Sequence, residues 1–141
     1  MRKWRFNMSP DKQQALYDKY PELFERHILP ATQTCMCWGI TTGDGWYDII
    51  DRLCQRITDH CSDNDIELPR FEQVKEKFGG LRVYFHESVG PVMIQFAVEA
   101  ENASVQTCEE TGRPGTLYLC GSWYRTLADD VAAKRNCKKR E

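Results

Sequence analysis

The sequence predicts a small α+β domain of three or four helices and a β-hairpin. Three observations carry that reading. Apolar residues recur at helical spacing after Trp46. The stretch around Phe71–Phe85 alternates and is interrupted by two glycines. A turn cluster then lies between Cys108 and Cys120, followed by the short apolar run Leu117-Tyr118-Leu119. A chain of 141 residues fits one domain, here 1–141. Sixteen aromatic residues supply bulk for a modest core.

In chain order, Ser9-Pro10-Asp11 is a helix start, with Ser as cap, Pro at the first position and Asp against the dipole. That helix carries Ala15, Leu16 and Tyr20, and Pro21 breaks or restarts it. Pro30–Thr42 reads as a loop around Cys35-Met36-Cys37-Trp38. Gly43-Asp44-Gly45 leads into the clearest helix, with Asp44 as its N-cap. Trp46, Ile49, Ile50, Leu53, Ile57 and Cys61 form its apolar face.

Ser62–Glu67 is a polar loop. Two strands joined through Phe78-Gly79-Gly80 follow, with Leu81, Val83 and Phe85 on one face and Arg82, Tyr84 and His86 on the other. A helix over Phe71–Lys77 competes, because Glu-Gln-Val-Lys-Glu-Lys has good helix propensity. Gly90-Pro91 opens another helix, and Trp123–Arg135 reads as a last amphipathic one.

The formal net charge of −2 is unevenly spread. Arg2, Lys3 and Arg5 put three positive charges on the start, and residues 134–141 carry a net four, which leaves −9 on residues 6–133. Residues 1–8 and 134–141 read as flexible basic ends around an acidic body. No segment approaches the roughly 18 apolar residues of a membrane span, and the basic start lacks the apolar stretch of a secretory signal. Seven cysteines at irregular spacing then read as reduced thiols.

Four blocks resemble a family of small phage- and prophage-encoded proteins: Thr34-Cys35-Met36-Cys37-Trp38-Gly39, Gly43-Asp44-Gly45-Trp46-Tyr47-Asp48-Ile49-Ile50, Gln73-Val74-Lys75-Glu76-Lys77-Phe78-Gly79-Gly80-Leu81-Arg82-Val83-Tyr84, and Gly121-Ser122-Trp123-Tyr124-Arg125-Thr126-Leu127. The resemblance spans residues 17–133 and implies a protein acting in the cytoplasm of a bacterial host cell. It also implies a C-terminal zinc-knuckle-like segment over 105–133, and here that segment is degenerate. Cys108, Thr111-Gly112, Pro114-Gly115 and Trp123 keep the frame, but Thr111, Ala128 and Val131 stand where ligands belong. No metal or other cofactor is expected, and a site rebuilt from Cys108, Cys120 and Cys137 lacks a chelating pair. Packing of Leu117, Leu119, Trp123 and Leu127 has to hold the segment instead.

Catalytic signals are weak. Cys35 and Cys37 have no basic neighbour to lower a thiol pKa, and read as a buried or half-buried structural pair. His27, His60 and His86 sit in separate segments without a metal-binding or catalytic pattern. Gly79-Gly80 is not part of a phosphate loop.

Binding is therefore expected ahead of catalysis, and the leading reading is an accessory protein that docks on a host protein or complex. An inhibitor of a defence complex of CRISPR or nuclease type is one such role. Its acidic surface would be Asp48, Asp51, Asp59, Asp63 and Asp65, or Glu99, Glu101, Glu109 and Glu110. The alternative is a nucleic-acid-associated module, with Lys75, Lys77 and Arg82 beside Phe78 and Tyr84, and with Lys138, Lys139 and Arg140 in the tail. An enzyme is the third reading, and no membrane partner is expected.

Overall fold

The computed structural model describes residues 6–140. Helix α1 (Pro10–Lys19) starts at Pro10, where the missing N–H costs nothing. The Ser9 side chain does not cap it, and instead the Ser9 N–H donates to Asp44 Oδ1 at 2.8 Å. Asp44 is thus not the N-cap of the next helix, as its position suggested. Its carboxylate is taken by a backbone amide 35 residues earlier in the chain, and a 3₁₀ turn, Asp44–Trp46, leads into helix α2 (Tyr47–Asp63).

Helix α2 buries Ile50, Leu53, Cys54, Ile57 and Cys61, with Trp46 buried just before it. Ile49 is only half-buried, Ala15 of α1 is exposed, and α2 runs on through Ser62 and Asp63 where a loop was expected. The facing sheet has the order β1 (Ile40–Thr41), β2 (Phe71–Lys77), β3 (Gly80–Phe85). β1 runs parallel to β2, which pairs antiparallel with β3. Over Phe71–Lys77 the strand wins against helix propensity, because it sends Phe71 and Val74 into the core while pairing on both edges. Helix α3 (Pro91–Ser104) packs on α2 and β3, and Ser104 Oγ accepts from the Leu81 N–H at 2.8 Å.

The C-terminal region forms a second small sheet, ordered β5 (Trp123–Leu127), β4 (Thr116–Cys120), β6 (Lys138–Lys139). The expected helix over Trp123–Arg135 is therefore corrected. Trp123–Leu127 is a strand paired residue for residue with β4, and only Asp129–Lys134 is helical (α4). Aromatic and β-branched residues outweigh helical spacing once a partner strand is available. A second core gathers Cys108, Tyr118, Leu127, Ala128, Val131 and Ala132. The positions where a knuckle would carry its last two ligands, Ala128 and Val131, are filled by buried apolar packing, while Leu119 is exposed and Trp123 half-buried.

Two further expectations are corrected. Cys120 and Cys137 form a disulfide, so these two are not free thiols. β6 returns antiparallel to β4 and brings their Cα atoms to 4.4 Å, a closeness that a separation of 17 residues does not reveal. The tail, for the same reason, is not a loose end. Lys138 and Lys139 pair with Leu119 and Tyr118, and the Arg140 N–H donates to Leu117 O at 3.3 Å. At the other end, Met8 is buried and its N–H donates to Ile40 O at 3.1 Å. The rest of the expected N-terminal end, with Arg2, Lys3 and Arg5, lies outside the described residues, as does Glu141. Among the described residues no helix is long and apolar enough to cross a membrane.

Candidate functional site

The two sheets meet along a seam of backbone and buried charge. Thr107 O accepts from Trp46 Nε1 at 2.9 Å, and Glu109 O accepts from the Gly45 N–H at 2.7 Å. Only glycine fits at position 45, since a Cβ there would stand 2.1 Å from Cys108 O. Thr126 Oγ1 donates to Gly79 O at 2.7 Å and ties β5 to the hairpin loop.

Inside the seam Glu109, fully buried, accepts from the Gly43 N–H at 2.9 Å and from Arg125 Nη1 at 2.7 Å. Arg125, only 1% exposed, also places Nη1 at 3.3 Å from Glu76 Oε1. Burial pushes the Glu109 carboxyl up to about 7, with Arg125 pulling it down and Glu76 pushing further up. Removing one member of such a buried set costs about 3–5 kcal/mol, because the remaining charge is stranded. The latch is therefore structural, and it fixes where β5 stands relative to β2.

That placement creates a cleft of about 480 Å³ between the sheets. One wall carries Lys75, Glu76, Lys77 and Phe78 from the end of β2 and its loop. The other carries Ser122, Trp123 and Tyr124 from the start of β5, and Phe6 and Thr41 complete the lining. Phe78 is 68% exposed, with the Lys77 ammonium 5.6 Å from its ring centroid. The Arg140 guanidinium lies 5.2 Å from the Tyr124 ring, so the folded-back tail sets a third cation beside the cleft.

Phe78 and Gly79 are the two loop residues of the β2–β3 hairpin, at φ 54° and 85°. Positive φ at both positions is the geometry for which Asn-Gly is preferred. A bulky aromatic residue there is strained, and backbone strain of that kind clusters at functional sites. An exposed aromatic ring thus holds a position better suited, for stability alone, to a small polar residue.

The acidic candidates fare differently. Glu109 is buried and cannot line a docking surface, which corrects its assignment as a contact residue. Asp51 is engaged by Lys19 and by the Tyr20 hydroxyl, Glu99 pairs with Arg56, Glu101 with Arg82, and Glu110 with Arg135. Among the described residues Asp48, Asp59, Asp63 and Asp65 have no Lys or Arg partner. Of the basic candidates, Lys75 and Lys77 line the cleft and Arg140 flanks it. Arg82 lies across the ladder from Lys75 but is paired with Glu101, and Lys138 and Lys139 lie on β6, the edge strand on the far side of β4 from β5.

Phe6, Glu76, Trp123, Tyr124 and Arg125 were not singled out as site residues from the sequence. The available signal was the aromatic and β-branched content of Trp-Tyr-Arg-Thr-Leu after Gly121, which favours a strand. Cys35 is exposed and Cys37 half-buried, both free, so the expected structural pair is more open than assumed. Among the described residues no group of three or more His, Cys, Asp or Glu side chains could hold a metal ion. No family model, no curated protein and no solved structure matches this chain.

Proposed function

We propose that this protein is a non-catalytic binding module for single-stranded nucleic acid, and that the cleft between the two sheets is its working surface. The observation that carries this is convergence. Lys75 and Lys77 from one sheet and Trp123 and Tyr124 from the other face one cleft, with Phe78 presented at its rim and Arg140 alongside. Aromatic rings supply faces on which unpaired bases stack, and the cations follow the backbone. A duplex hides its base faces and would use only the cations. We further propose, on the motif resemblance alone, an accessory role inside a bacterial host cell.

Fluorescence anisotropy with a labelled oligothymidylate and with a duplex of equal length tests the reading. Phe78→Ala should weaken single-strand binding about 5- to 150-fold, from the roughly 1–3 kcal/mol of one stacked base. Equal binding of strand and duplex, untouched by Phe78→Ala, would refute it. A second reading, docking on a basic host protein, is favoured by Asp59, Asp63 and Asp65, which lie exposed at the C-terminal end of α2 and just beyond it. Under that reading, substituting those three with Asn abolishes capture of the protein partner and leaves oligonucleotide binding unchanged.

A further inference from the structure

We infer that Arg125, one layer behind the Phe6 side of the cleft, is a seat for a phosphate monoester, such as the end of a strand or a free nucleotide carries. The inference rests on the cleft reading above and adds how the ligand is anchored.

Arg125 makes all its described ionic contacts through one nitrogen, Nη1, which meets Glu109 and Glu76. Its Nε and Nη2 are buried and find no hydrogen-bond acceptor among the described residues. These two nitrogens form the edge of a guanidinium that grips a phosphate with two parallel bonds. Buried donors left unsatisfied cost free energy, so a protein that keeps them gains when an acceptor arrives. The rings over that guanidinium are Phe6 at 4.5 Å and Trp123 at 5.9 Å, and both also line the cleft. These two rings separate the guanidinium from the cleft, so a phosphate reaches it only by displacing Phe6.

Charge and depth define what fits. Arg125, Lys75, Lys77 and Arg140 outnumber Glu76 and Glu109, so the cluster retains two positive charges even with both carboxylates ionised. At 1% exposure Arg125 is too deep for a phosphodiester flanked by two sugars, whereas a terminal monoester enters end-on. A base on the Phe78 side would occupy the cleft of about 480 Å³, within the usual range for a small-molecule site, with its phosphate reaching past Phe6 to Arg125.

The test compares a 5′-phosphorylated oligothymidylate with its 5′-hydroxyl counterpart by anisotropy. The phosphorylated strand should bind at least tenfold tighter. Phe6→Ala, which unroofs the seat, should raise the ratio of phosphorylated-strand to hydroxyl-strand affinity several-fold, whatever it does to strand binding in general. Arg125→Lys, where it folds, should erase the difference, because an ammonium lacks the fork. Thymidine monophosphate serves as competitor. Displacement near the strand's own concentration identifies a free nucleotide as the ligand, and failure to displace identifies a strand end. Equal affinity of the two strands, or a Phe6→Ala shift common to both, would overturn the seat and leave the cleft reading standing. Binding of neither strand would overturn both.

Discussion

Replacing Phe78 with Asn separates stability from binding, and the structure sets the size of each effect. Residue 78 sits at φ 54° in a two-residue loop followed by Gly79 at φ 85°. The substitution produces the Asn-Gly pair preferred for that turn. Relief of a left-handed, non-glycine conformation is worth roughly 1 kcal/mol. Against it stands lost burial. The side chain is 68% exposed, so about a third of a ring-bearing residue's roughly 200 Å² is covered, and Asn keeps part of that. At ~25 cal/mol per Å² the loss is below about 1.5 kcal/mol. The two contributions nearly cancel, and urea unfolding should move by less than about 1 kcal/mol in either direction. Binding of oligothymidylate should fall by a factor of about 5 to 150, the worth of one stacked base at roughly 1–3 kcal/mol. A stability loss above about 2 kcal/mol would show that Phe78 is a packing residue, and unchanged affinity would remove it from the binding surface.

Three further outcomes follow from the same geometry. Leu53, 2% exposed in the main core, should cost about 2–5 kcal/mol when cut to Ala, and a loss below about 1 kcal/mol in urea unfolding would mean the helix face is misassigned. Cys137→Ser should lower stability by about 3 kcal/mol, the chain-entropy value for a loop closed across 17 residues, and adding a dithiol reductant should lower the wild-type Tm but not the variant's. Glu109 has a folded-state pKa raised from 4.5 to about 7, so the folded chain binds more protons than the unfolded chain between those pH values. Stability should therefore fall, by up to a few kcal/mol, as pH rises from about 4.5 through 7, and Glu109→Gln should flatten that part of the Tm profile.

What could be read from the sequence divides along the seam. The first core was legible because its signals are local: a 3.6-residue period over α2, an alternating β3, and Pro at the start of α1 and α3. The second unit was not, because long-range pairing decides it. Trp123–Leu127 becomes a strand only through β4, and Lys138–Lys139 become a strand only because β4 offers a free edge and Cys120 lies opposite Cys137. The site straddles both units, so half of it was visible. Lys75, Lys77 and Phe78 stand together in sequence, whereas Trp123, Tyr124 and Arg125 reach them through a buried Glu109–Arg125 pair that no spacing announces. The acidic face misled in the other direction. Counting carboxylates cannot show that Glu109 is buried or that Asp51, Glu99, Glu101 and Glu110 are already paired.

The central claim, that the cleft binds a single strand, is tested most directly by the salt dependence of oligothymidylate affinity. Contacts from Lys75, Lys77 and Arg140 give about three neutralised phosphates, and each contributes about −0.7 to the slope of log K against log salt. The wild-type slope should be about −2, and Lys75→Ala with Lys77→Ala should bring it to about −0.7. A slope that ignores the lysine pair, or loss of binding only when Asp59, Asp63 and Asp65 are neutralised, would contradict the account.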